Sequence, residues 1–160
     1  MLGLEFILWY SQSNYLKRNR LIMSQNSNLP LQVSALIVTR QDGDAPLEVL
    51  NVLAQNKTKY GFPGGKLEET ESPEQAVVRE TEEELGVTPT NVVYRDVYES
   101  LTPEGRGIKM FVFTGNVTED IAPTNEIAEL HWLTYDQMVN NLDLLTPMTI
   151  EHVLPLIKKL

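Results

Sequence analysis

Residues 65–87 read GKLEETESPEQAVVRETEEELGV, a glycine turn running into a short helix that carries more acid on one side than folding alone accounts for. Ser72, Pro73 and Gln75 supply a cap, a favoured first helical position and the return half of a capping box. Gly86, directly after Leu85, is the stop signal, so the spacing predicts a helix over 73–85. At roughly 100° per residue, Glu80, Glu83 and Glu84 fall within a wedge of about 100°, with Arg79 on its edge. Val77, Val78, Thr81 and Leu85 lie on the other side and form the face to be buried. Like charges three and four residues apart cost a few tenths of a kcal/mol per pair, so a positive partner is expected at this wedge. Upstream, Phe62-Pro63-Gly64-Gly65 has so little bulk at its glycines that backbone can approach a ligand closely.

These residues carry a family resemblance. Gly65, five residues, Glu71, seven residues, then Arg79-Glu80-Thr81-Glu82-Glu83-Glu84-Leu85-Gly86-Val87 resembles the 23-residue signature of the Nudix hydrolases, matching at Gly65, Glu71, Arg79, Glu80, Glu83, Glu84 and Gly86. Thr81 stands where that family prefers an aliphatic residue and Thr70 where many members have glycine; neither removes a ligand. The signature spans 23 of 160 residues, and Phe62-Pro63-Gly64 together with the surrounding strand pattern extends the likeness.

The resemblance implies a Mg²⁺-dependent, or Mn²⁺-dependent, hydrolase that cleaves a nucleoside diphosphate linked to another group. By the match, Glu80, Glu83 and Glu84 are metal ligands, with the carbonyl of Gly65 beside them. Glu80 is the first choice for the carboxylate that takes the proton of the attacking water, and Glu126, ahead of a later strand, is the second. Arg79 orients a box carboxylate, while Gly64, Lys66 and Glu71 form the substrate-facing and supporting set. The chemistry agrees independently, because magnesium is a hard ion bound by a few carboxylates together with phosphate oxygens and water. Glu68, Glu69, Glu74 and Glu82 read as solvated surface. A nucleotide-sensing regulatory Nudix domain without catalysis is the alternative, although such domains usually lose the box carboxylates that this chain keeps.

Composition sets the frame for these readings. A chain of 160 residues with 42% hydrophobic content can bury a core as one domain without staples. Its net charge is −9, and the segment 66–84 alone holds eight Glu against Lys66 and Arg79. So acidic a chain offers no broad basic surface to duplex nucleic acid, and a phosphate-bearing substrate has to be received through divalent cations. With no cysteine there is neither disulfide nor thiol nucleophile, which is compatible with a cytoplasmic location. The lack also excludes the cysteine-dependent chemistry of isopentenyl diphosphate isomerases, which share the Nudix fold. The expected partner is a small nucleotide and not a membrane; a homodimer remains open.

Residues 1–30 read as an extension and linker ahead of a domain over 31–160. Met1–Tyr10 is apolar but too short to span a bilayer, and Lys17, Arg18 and Arg20 follow it where a signal peptide has its charges in front. Either Met23 is the natural start and the extension is dispensable, or Phe6–Tyr10 packs as an arm. From Val33 the pattern predicts strands over 33–40, 47–53, 92–99, 108–115 and 128–133, a helix over 135–141, and a last helix over 146–159 that Pro155 should kink. The implied fold is α/β (α+β), a Nudix α/β/α sandwich with a mixed sheet between helices. His131 and His152 are isolated and structural, and Trp132 is core in preference to a base-stacking platform. Pro103, 16 residues beyond Val87, resembles a proline that marks ADP-ribose pyrophosphatases in the family, and reads equally as a turn residue. Substrate thus stays open between a nucleotide sugar such as ADP-ribose and a nucleoside triphosphate.

Overall fold

The computed structural model describes residues 29–102, 105–118, 120–124 and 126–160; the N-terminal extension and Pro103, on which two expectations rest, lie outside them. Five strands, β1 (Leu31–Arg40), β2 (Glu48–Ala54), β3 (Thr90–Leu101), β4 (Gly107–Asn116) and β5 (Ile127–Thr134), make one mixed sheet in the order β3-β4-β1-β2-β5. β1 runs parallel to β4, whereas the β1–β2, β2–β5 and β3–β4 pairs are antiparallel. The central strand β1 is apolar on both sides, as a strand covered on two faces must be. Its Ala35 and Ile37 join a core with Val49, Met110, Met138, Leu145, Val153 and Ile157, while Leu36 and Val38 join a second core with Leu50, Val77, Leu85, Phe113 and Ile127. Helices therefore cover both faces, and the α/β/α sandwich follows.

Helix α1 (Pro73–Leu85) has the limits its sequence signals. Ser72 and Gln75 form the complete capping box, and Gly86 takes the left-handed conformation at φ 71°. Helix α2 (Tyr135–Val139) is shorter than expected at its C-terminal end and carries its own capping box from Thr134 and Gln137. The last helical run differs from expectation in kind. Thr146 Oγ1 accepts the Thr149 N–H, but Thr149–Val153 winds as a wide π turn before α3 (Leu154–Ile157). Pro155 lacks the N–H of a regular helix, and the preceding turn widens around that deficit.

The feature that positions the site is a splayed pair of strands. β1 and β2 pair directly only at Thr39–Val49 and Arg40–Glu48. Below that point the segment 61–67 enters the gap: Leu36 N–H donates to Pro63 O at 2.8 Å, Ser34 N–H to Gly65 O at 2.8 Å, and Leu67 N–H to Gln32 O at 3.0 Å. On its other side Gly61 exchanges two 3.0 Å hydrogen bonds with Val52. The glycine turn is thus built into the sheet and lies under α1. Among the described residues no helix is long and apolar enough to cross a membrane.

Candidate active site

Two glycines define how closely α1 approaches the sheet. Gly64 sits at φ 136°, and a Cβ there would stand 2.2 Å from Ser34 O. At Gly65 a Cβ would meet the Glu80 carboxylate at 2.4–2.5 Å, so the absent side chain is the space that Glu80 occupies.

Arg79 is the hub on the exposed side. It grips Glu71 with two parallel bonds of 2.7 and 3.0 Å, donates to Glu80 at 2.9 Å and Glu83 at 3.1 Å, and holds the Lys66 carbonyl at 3.0 Å. The bidentate pair, with an added N–H from Glu68, holds the Glu71 carboxyl down at about 2. Bonding to Glu71 in turn raises the proton affinity of Arg79. Lys66 contributes a backbone carbonyl to this network, and its side chain lies exposed.

Glu84 behaves differently from its neighbours. Although the helical wedge groups it with Glu80 and Glu83, it is only 8% exposed and accepts a 2.9 Å hydrogen bond from Gly64 N–H. Burial pushes its carboxyl up to about 8 against that bond, with the charges of Glu80, Glu126 and Glu83 pushing the same way. Glu80 is also raised, chiefly by burial, with Arg79 opposing and Glu83 and Glu126 adding to it. The last turn of α1 contains no basic residue to meet the negative end of the helix dipole.

Glu126 joins this group through its loop. Thr124 N–H donates to Glu84 O at 3.1 Å and its hydroxyl to Glu83 O, so the loop is fastened to the exposed carbonyls at the end of α1. Gln55 N–H holds Glu126 O at 2.8 Å from the other side. The sequence puts Glu126 forward only by its place ahead of β5, and Thr124 goes unnoticed because its partners Glu84 and Glu83 lie far back along the chain. Thr81, the departure from an aliphatic pattern, is fully buried and bonds its hydroxyl to Val77 O at 2.7 Å, which lets a threonine fill an apolar slot.

A cleft of about 1000 Å³ opens at Glu84, Gly64 and Gly65. Val33, Ala35, Phe62, Ile108, Met110 and Met148 give it an apolar floor, and Lys57 and Lys59 stand among its lining residues. Lys59 is committed to the Asp143 and Leu145 carbonyls at 2.8 and 3.3 Å. An apolar cleft ending in a few convergent polar groups is the usual form of a small-molecule site.

The remaining expectations concern residues outside this cluster. His131 bonds Glu129 at 2.8 Å and meets Tyr60 edge-on, while His152 stacks on Tyr98 at 4.7 Å; both are tied into structural contacts. Trp132 packs against the second core and carries the Arg40 guanidinium 4.3 Å above its ring.

The fold is shared with known proteins. Residues 29–155 match the NUDIX domain. The chain belongs to the NUDIX family. Over 59 residues it is 42% identical to the 8-oxo-dGTP diphosphatase of Escherichia coli K12, covering 37% of this chain and 46% of that protein. A MutT-like protein of Streptomyces ambofaciens is 32% identical over 103 residues, 64% of this chain and 62% of that one. The NUDIX chain thus spans less than two thirds of the length of either relative. Among solved structures, a NUDIX hydrolase from Nitrosomonas europaea superposes with a TM-score of 0.66 at 24% identity, covering 78% of this chain and 86% of that one. The MutT protein from Methanosarcina mazei Go1 gives 0.66 at 21% identity, covering 84% and 97%. These two likenesses establish the NUDIX sandwich.

The donor set of this NUDIX site fits a hard divalent cation in chemistry, being all oxygen and acid in excess. Glu71 absorbs one side of Arg79, which leaves one guanidinium N–H group for Glu80 and Glu83, and Glu84 has no cationic partner among the described residues. As the side chains stand, no three carboxylates or histidines among the described residues are gathered tightly enough to hold a metal ion.

Proposed function

We propose that this chain is a pyrophosphohydrolase that acts on a nucleoside diphosphate linked to another group, with Mg²⁺ or Mn²⁺ held by Glu80, Glu83, Glu84 and the Gly65 carbonyl. The observation that carries this reading is Glu84. A carboxylate buried against Gly64, raised to about 8, and surrounded by the charges of Glu80, Glu83 and Glu126 is costly in a resting protein. Such groups collect where function requires them. When bound, the cation supplies charge stabilisation at the phosphate chain and lowers the pKa of its water.

The chain's own residues divide the remaining work. The apolar floor formed by Phe62, Met110 and Met148 receives the nucleoside and leaves the phosphates toward Glu84. Arg79, fixed by Glu71, sets the resting positions of Glu80 and Glu83. Glu80 takes the proton of the attacking water, and Glu126 is the second candidate because its fastened loop brings its charge to Glu80 and Glu84. A regulatory domain that only senses nucleotide is disfavoured by the intact set of carboxylates.

For the substrate, the relative from Escherichia coli named an 8-oxo-dGTP diphosphatase supports a nucleoside triphosphate, ordinary or oxidised. ADP-ribose is the second substrate class, on the Pro103 cue. A panel of nucleoside triphosphates and nucleotide sugars, assayed for phosphate or mononucleotide release under Mg²⁺ and under Mn²⁺, tests the reading. No release from any substrate with either cation would discard it.

A further inference from the structure

Two buried groups flank Gly64, and each lacks what the other has. On one side Glu84, 8% exposed, receives one described hydrogen bond, from Gly64 N–H at 2.9 Å. Once ionised, as it must be to hold a cation, a carboxylate has about four acceptor positions, so burial with a single donor leaves it under-supplied. On the other side Ser34 is 2% exposed, and its hydroxyl has no hydrogen-bond partner among the described residues. The Ser34 backbone lies hard against Gly64, since a Cβ there would come within 2.2 Å of Ser34 O, and Ser34 N–H holds Gly65 O at 2.8 Å. Ser34 and Glu84 both line the same cleft. A buried hydroxyl left unpaired costs about 1–3 kcal/mol, and native structures contain few, so this one calls for a role.

We propose that Ser34 is a positioning residue of the site: when Glu84 holds a cation, the Ser34 hydroxyl would donate to its carboxylate and add a second donor to Gly64 N–H. The inference rests on the cation reading of the preceding section. Its logic is that of a partner behind a ligand, which fixes the ligand's orientation and commonly contributes about 10–100-fold in metal affinity.

The test uses the full chain and titrates Mg²⁺ and Mn²⁺ calorimetrically, alongside melting without cation. Ser34→Ala should melt at or above the wild-type temperature when no cation is present, because it removes an unpaired group, and should bind cation about tenfold more weakly. Ser34→Thr and Ser34→Val form a matched pair of nearly equal shape, so any packing strain is common to both. The threonine variant should bind cation more tightly than the valine variant by a similar factor. Equal cation affinity in wild type and Ser34→Ala overturns the proposal, as does equal affinity across the matched pair. A clear loss of stability in cation-free Ser34→Ala also overturns it, since the hydroxyl would then have a partner at rest. If wild type takes up neither cation, the functional reading falls and this inference with it; if wild type binds and Ser34→Ala binds equally, only the inference falls.

Discussion

Gly64 donates its backbone N–H to the carboxylate of Glu84 at 2.9 Å, joining a strand-like segment inside the sheet to the last turn of α1. The bond places one carboxylate indoors while its helical neighbours Glu80 and Glu83 remain on Arg79. Different consequences follow for the two kinds of acid.

Turnover should separate ligand from surface. Glu83→Gln and Glu84→Gln are each expected to lower kcat by orders of magnitude with a native circular dichroism spectrum. Glu82→Gln should be nearly silent, because Glu82 bonds Thr88 on the exposed face. Full activity in Glu83→Gln or Glu84→Gln would remove the ligand assignment.

Glu84 also predicts a pH dependence in the presence of a chelator. Its carboxyl lies at about 8 in the folded chain against an ordinary 4.5, so the folded state holds the proton more tightly than the unfolded state. The associated stability is fully present below about pH 4.5 and is lost as pH rises through about 8. One proton corresponds to a slope of at most about 1.4 kcal/mol per pH unit. Melting curves of the cation-free protein should therefore fall across this window, and Glu84→Gln should flatten that part of the fall. An equal slope in the variant would show that Glu84 ionises normally.

Adding Mg²⁺ at neutral pH should reverse that loss. A ligand at ten times its Kd stabilises by about 1.4 kcal/mol, or about 3–5 °C for a domain of this size. The shift should vanish in Glu83→Gln and Glu84→Gln. Sodium chloride at matched ionic strength should not reproduce it, and if it does the acidic face is only being screened.

The neighbouring glycines should fail in different ways. Gly64→Ala puts a Cβ 2.2 Å from backbone at φ 136°, so it should lower the melting temperature sharply. Gly65→Ala meets the flexible end of Glu80, so it should leave most of the stability while displacing that carboxylate and reducing turnover at least tenfold. Equal melting losses in both would contradict the distinction.

The parts of this molecule that were legible in the sequence are those whose causes are local. Ser72, Gln75 and Gly86 act within a turn of the helix they limit, and the structure places α1 between the expected residues. β1 was legible as a strand from its β-rich run, whereas its central place in the sheet follows only from its pairing with β2 and β4. The burial of Glu84 was not legible, since helical periodicity assigns it to the acidic wedge and only the inserted segment 61–67 encloses it. The contact of Thr124 with α1, and the idle hydroxyl of Ser34, depend on pairings between distant parts of the chain. Pro155 was read correctly as an obstacle, but the widened turn that accommodates it depends on how the run packs against the sheet.

The segment wedged between β1 and β2 limits how this site can be engineered. Its backbone hydrogen bonds to the sheet are made with Ser34, Leu36 and Gln32 on one strand and with Val52 on another, none of which belongs to the run 65–87. Transplanting that run into a foreign scaffold would carry over the acidic helix and leave behind the backbone donors and acceptors that fix the glycines. A portable version of the site needs the host to offer two diverging strands with a matching gap.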